Sequence, residues 1–208
     1  MRLTLTTFVT LDGVMQGPGA PEEDRSGGFE LGGWLPPHFD EGVAAFMSEI
    51  FDRADAFLLG RRTYQAMAGF WPSMTDPDDR VARQLNALPK HVATNTLTDL
   101  DWPGATRLDG EVLDAVAALK ERAGRELQIH GSGTLARTLM QHGAIDAYNV
   151  LVFPVVLGRG RKLFADDVEP TALKLTDSRT TGSGVVMVRY EPAGQPTRGS
   201  VNDGPITS

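Results

Sequence analysis

The sequence predicts an α/β fold: a mostly parallel sheet that ends in antiparallel strands. Two observations carry this prediction. Up to about Met140, short apolar strand candidates alternate with amphipathic helical stripes. The chain then changes to consecutive strand candidates with no helical stripe between them, which implies antiparallel pairing at one end of the sheet.

Element by element, Arg2 to Leu11 is apolar with threonine and rich in β-branched residues, the composition of a strand in the middle of a sheet, and Asp12-Gly13 ends it. From Gln16 to Gly33 the chain is rich in glycine, proline and acids and has no period, so it reads as a long functional or disordered loop. Val43, Phe46, Met47, Ile50 and Phe51 fall on one helical stripe. Ala56 to Leu59 reads as a short buried strand, followed at Gly60 by a turn into a helix around Thr63 to Ala68. Val81, Leu85 and Leu88 mark a further helix, and His91 to Thr94 a strand. Val112, Leu113, Val116 and Leu119 mark a helix for which Asp109 would be the N-cap. Leu127 to His130 is a strand that enters, through Gly131-Ser132-Gly133, a helix carrying Leu135, Leu139 and Met140. Ala147 to Val156, Leu173 to Thr180 and Val185 to Tyr190 complete the strands, and the Gly/Pro/Ser/Thr-rich tail past Pro192 reads as disordered. This organisation is one domain over residues 1–191 followed by a tail over 192–208.

Composition narrows the function. The 208 residues contain no cysteine, which removes disulfides, thiolate nucleophiles and cysteine-based zinc sites and fits a reducing, cytoplasmic setting. A formal charge of −7 argues against a nucleic-acid partner. No stretch approaches the roughly 18 apolar residues of a membrane span, and Asp12 interrupts the N-terminal apolar run. His38, His91, His130 and His142 show no metal-ligand spacing, so no metal is assigned. Asp166-Asp167-Val168-Glu169 reads as a solvated loop.

Two glycine turns could carry chemistry. At Gly60-Arg61-Arg62-Thr63 a helix N-terminus with free N–H groups, two cations and a hydroxyl would suit a phosphate; the same residues also fit a plain turn with solvent-facing arginines. Gly131-Ser132-Gly133-Thr134-Leu135-Ala136 fits G-x-G-x-x-A and favours a phosphate-cradling turn over simple turn chemistry. Among the acids, Asp12 stands at a strand end, where ligand crevices open, or belongs to a turn. Asp40 and Glu41 begin a helix, where serving the helix dipole is the favoured reading.

Taken in order, Phe8 through Gly13, Ala56 through Tyr64, His130 through Leu135, and Asp146-Ala147 with Phe153 through Gly160 and Leu163-Phe164 resemble the dihydrofolate reductase superfamily. The resemblance is strongest to the branch shared with the reductase domain of bacterial riboflavin biosynthesis, and it covers about residues 2–190. It implies a dihydrofolate reductase-like, mainly parallel eight-stranded sheet flanked by helices, with NADPH as hydride donor and a homodimeric assembly. It further implies that Gly60, Arg61, Arg62 and Thr63 hold phosphates, Arg61 that of the adenosine 2′ position. Thr94 and Asn95 would meet the adenosine end, and Gly131, Ser132, Gly133, Thr134 and Leu135 the pyrophosphate. Thr10 and Asp12, in the Thr10-Leu11-Asp12-Gly13 motif, would lie beside the substrate. The first-helix acid of the folate enzymes falls at Gly42, so Glu41 and Asp40 stand beside Asp12 as candidate catalytic acids. Trp34 is a stacking candidate for a planar substrate, a lid aromatic or a core anchor. Arg159 to Lys162 would meet a substrate phosphate or decorate a hairpin, the latter favoured.

The function implied is transfer of a hydride from NADPH to a pterin-like, pyrimidine or related heterocycle. The rival from a different class is a non-catalytic nucleotide-binding paralogue or sensor on the same fold. A classical dinucleotide-binding domain is the weaker reading, because the glycine motif comes late in the chain.

Overall fold

The computed structural model describes residues 1–164 and 168–200; Asp166 and Asp167 of the acidic run, and residues 201–208 of the expected tail, lie outside the described residues. The strands are β1 (Arg2–Thr10), β2 (Ala54–Gly60), β3 (Lys90–Ala93), β4 (Ala105–Arg107), β5 (Glu126–His130), β6 (Ala147–Phe153), β7 (Leu173–Thr180) and β8 (Val186–Pro192). The helices are α1 (Glu41–Phe51), α2 (Arg61–Ala68), α3 (Arg80–Ala87), α4 (Val112–Glu121) and α5 (Gly133–Gln141).

The strands make one eight-stranded sheet in the order β4-β3-β2-β5-β1-β6-β8-β7. β1 is central and pairs in parallel with β5 on one side and β6 on the other. The parallel strands need helical crossovers, which the alternating first two-thirds of the chain supplies. β8 pairs antiparallel with β6, and β7 antiparallel with β8.

Each face of the sheet carries its own apolar layer. Val43, Phe46 and Ile50 of α1 pack with Phe57, Phe153 and Met187 on one face. Leu3, Leu5, Leu127 and Ile129 pack with Val116 and Leu139 of α4 and α5 on the other. The period-2 alternation of β1 and β5 sends their successive side chains to opposite faces of the sheet, Leu3, Leu5, Leu127 and Ile129 into the second layer.

Five details differ from the sequence reading. β4 was not foreseen: three residues, mostly exposed, at the sheet edge carry no apolar pattern. Helix α4 has Glu111 at its N-cap with no capping side chain, and Asp109 instead lies 3.8 Å from Arg107. Leu88 is not helical but extended (φ −81°, ψ 155°), because it precedes Pro89. β6 stops at Phe153, since Pro154 has no N–H to continue the ladder. At the other end, β8 runs through Pro192, and pairing goes on past it, with Ala193 N–H donating to Ala172 O at 2.7 Å.

Candidate functional site

Where β1, β2, β3 and β5 reach their C-terminal ends, the connecting segments part around a cleft of about 1320 Å³. This is the edge of a parallel sheet at which ligands bind in α/β folds. Gly60 to Thr63, Thr94 and Asn95, and Gly131 to Leu135 all border it.

The two glycine turns are stitched to each other. Gly60 N–H donates to Ser132 Oγ at 3.0 Å, and Ser132 N–H donates to Thr63 Oγ1 at 3.2 Å. Ser132 is thereby fixed at φ 50°, a left-handed conformation seldom adopted by a residue with a side chain. Gly131, at φ 59°, precedes it, and two successive positive-φ residues make a concave turn of backbone N–H groups. An added Cβ at Gly133 would meet Met15 Sδ at 3.1 Å, so this position is also tight. At Gly60 an added Cβ would stand 3.6 Å from Ser132, an ordinary contact; the protein itself does not require glycine there.

Both α2 and α5 begin without a capping side chain, so the N–H groups of their first turns face the cleft unclaimed by side chains. Each end also carries the positive pole of its helix. Arg61 donates to Thr96 Oγ1 at 3.1 Å, and Thr94 Oγ1 accepts from the N–H of Thr96 and Leu97 at 3.2 and 3.1 Å, shaping the loop after β3. Arg62 reaches Ser26 Oγ at 3.5 Å.

The other predicted residues are placed differently. None of Thr10, Asp12, Trp34, Asp40 and Glu41 borders the cleft. Asp12 accepts from Thr10 Oγ1 at 2.6 Å and from the N–H of Gly158 and Leu157 at 2.7 and 3.2 Å. Thr10 and these amides hold its carboxyl down to about 2, so it clamps the end of β1 to the loop after β6. Asp40 is the N-cap of α1, accepting from Val43 N–H and, across the fold, from Ser183 N–H, each at 3.0 Å. Its carboxyl too is held down to about 2 by the Val43 amide above all. Glu41 lies exposed in the first turn of α1. Trp34 is buried, donates to Gln16 O at 2.9 Å and meets Phe153 edge-on at 5.5 Å, which makes it a core anchor and not a stacking plate.

Sequence reasoning missed three contributors. Gln16 fastens the long loop: its amide donates to Ser26 O at 2.9 Å and its oxygen accepts from Arg161 N–H at 3.0 Å. Arg161, whose segment fits a substrate phosphate or, by preference, hairpin decoration, pairs with Asp24, and both border the cleft. His130, noted only for lacking metal-ligand spacing, ends β5 on the cleft floor. No local signal marks the first two, because their partners lie across long loops; His130 was findable as the residue preceding a glycine turn. Among the described residues no cluster of three or more metal-ligating side chains occurs, and no helix is long and apolar enough to cross a membrane.

Residues 2–187 match the family model of the RibD C-terminal domain. The Bacillus subtilis protein YyaP is 28% identical over 191 residues, covering 91% of this chain and 94% of that one. Among solved structures, a putative riboflavin biosynthesis protein from Shewanella sp. PV-4 superposes with a TM-score of 0.67 at 22% identity, covering 93% of this chain and 99% of that one. A pyrimidine reductase-like protein from Corynebacterium diphtheriae superposes with a TM-score of 0.60 at 15% identity, covering 92% of each chain.

Proposed function

The chain belongs to the RibD C-terminal domain family, and on that premise we propose that it is an NADPH-dependent reductase of a pterin-like, pyrimidine or related planar heterocycle. One observation carries the reading: two uncapped helix N-termini, stitched turn to turn, converge on one cleft beside Arg61. Such an arrangement fits a diphosphate, because free N–H groups and two helix dipoles offer fixed positive potential to it. The residues fit the nicotinamide cofactor in three places. The first turn of α5, Gly133 to Leu135, would hold the pyrophosphate. Arg61, with Arg62 and Thr63, would hold the further phosphate that distinguishes NADPH from NADH. Thr94 and Asn95 would border the adenosine. When bound, the cofactor supplies the hydride.

The chain's own part is orientation and exclusion of water. Phe8, Met47 and Phe51 give the α1 side of the cleft an apolar wall suited to a flat ring. Asp24 and Arg161 join the long loop to the segment after β6 along the rim.

A second reading, a nucleotide-binding protein without turnover, is favoured by one fact. Among the described residues, the acids that border the cleft are Glu23, Asp24 and Asp79, none of them from β1 or α1, and Asp24 is paired with Arg161. Oxidation of bound NADPH by any heterocycle separates the two readings.

The test is a titration of the purified protein with NADPH and with NADH, followed by nicotinamide fluorescence. NADPH-selective binding is expected, and Arg61→Ala should weaken NADPH about tenfold while changing NADH little, since a charge-assisted contact to one phosphate is lost. Binding of neither nucleotide removes the reductase reading.

A further inference from the structure

Along β5, every second residue on the α1 face is polar and buried: Glu126, Gln128 and His130. At the far end, Glu126 Oε1 accepts from Arg189 at 2.9 Å and from Arg53 at 3.0 Å. Burial works against that charge, but the two arginines and Gln128 outweigh it and keep the carboxyl below its ordinary range. Gln128 Nε2 then donates twice, to Glu126 Oε2 at 2.8 Å and to Ile50 O at 2.7 Å. Two acceptors on one atom fix which end of the amide is nitrogen. Gln128 Oε1 is therefore the atom 3.0 Å from His130 Nε2, and an amide oxygen can only accept. So Nε2 carries the imidazole proton and Nδ1 carries the lone pair.

The ring is locked in place as well as in tautomer. Phe51 stacks on it at 4.4 Å and 12°, and Phe57 tilts against it at 5.8 Å. Burial drives the imidazole pKa down to about 3, so it is neutral at physiological pH. His130 is 6% exposed, borders the cleft, and its Nδ1 has no partner among the described residues; nor is that atom among the fully buried unpaired ones. Its opening is therefore onto the cleft. Beside it, in register on β1, Thr6 accepts from Asn149 Nδ2 at 3.0 Å, which leaves the Thr6 hydroxyl proton free to donate.

We infer that His130 is a specificity-determining residue of this cleft: its Nδ1 is a fixed acceptor for a ring N–H of the bound heterocycle, with Thr6 placed to donate to the neighbouring carbonyl. The ligand class is then a planar lactam, a ring with an H–N–C=O edge. A ring alkylated at that nitrogen leaves the acceptor facing a methyl group and unpaired, which is costly in a buried site. The substrate assignment rests on the reductase reading above, but the state of His130 does not.

Two measurements test it. In protein with ¹⁵N-labelled histidine, long-range ¹H–¹⁵N correlation at neutral pH should show the His130 ring protonated at Nε2 and bare at Nδ1, the signal being assigned by its loss in His130→Phe. A proton on Nδ1 overturns the inference. Second, 2,4-dioxopteridine should bind the NADPH-loaded wild type at least about tenfold tighter than its 1,3-dimethyl derivative, and His130→Phe should erase the difference. Equal binding of the two, or binding of neither, overturns the inference. The NADPH titration judges the reductase reading separately: a protein that binds NADPH yet fails the pteridine comparison keeps that reading and loses this one.

Discussion

Helices α1, α2 and α5 start in two opposite ways. At α1 the first turn is closed by Asp40, which also reaches across to Ser183. At α2 and α5 no side chain closes the first turn, although Thr63 and Ser132 stand within reach and bond to the opposite turn instead. Capping removes a helix end from further chemistry, because its N–H groups and its potential are already answered. An uncapped end, held rigid from outside, keeps both for a ligand. On the proposed function, the capped helix belongs to the architecture and the uncapped pair to the nucleotide site.

The contrast can be broken at its strongest point first. Gly131→Val places a β-branched side chain at φ 59° in the turn that feeds α5, so nucleotide binding should fall roughly a hundredfold. Unchanged binding in the fluorescence titration would mean that the uncapped pair is not the nucleotide site. The opposite experiment is Asp40→Ala. It should lower the thermal midpoint by a few degrees, read by circular dichroism, and leave the dissociation constant for NADPH where it was. A loss of binding with no loss of stability would move Asp40 from architecture to site.

A smaller effect sharpens the same distinction for Asp12. Its folded carboxyl is held at about 2, first by Thr10 and then by the Gly158 and Leu157 amides, below its value in an unfolded chain. A lowered acid stabilises the fold above the unfolded pKa of about 4 and ceases to do so as pH falls through the folded value. The stability gap between wild type and Asp12→Asn should therefore be full at pH 7 and should close between about pH 4 and pH 2 in urea titrations. A gap independent of pH would mean that its carboxylate charge is not what clamps β1 to the loop after β6.

These contrasts also show what could be read in the amino-acid order. The glycine turns were legible because their signal is local: an apolar strand, a glycine, a hydroxyl or cation, and a helical stripe all lie within a dozen residues. The parallel sheet and its antiparallel finish were legible for the same reason, as a change of period along the chain. Roles settled by distant partners were not. Asp12 fits a turn or a substrate-side acid until Leu157 and Gly158 are brought to it, and Trp34 fits a stacking plate, a lid aromatic or a core anchor alike until it is seen bonded to Gln16 and packed on Phe153. β4 has no pattern to read, since three edge residues bury little. His130 looks like a lone histidine until Gln128, two residues back on the same face, fixes where its proton is.

The central position of β1 has a consequence for how the molecule is made. Of the eight strands described, β1 precedes all the others in the chain, and its neighbours, β5 and β6, are translated last among the parallel strands. Until Glu126 to Phe153 have been synthesised, its backbone N–H and C=O groups have no ladder to join, while the chain carrying α1, α2 and α3 is already available for helical packing. Folding is therefore closed by non-local pairing late in synthesis, a slow step by the ordinary dependence of rate on contact separation. A nascent chain arrested before Glu126 would present an unpaired, threonine-rich strand.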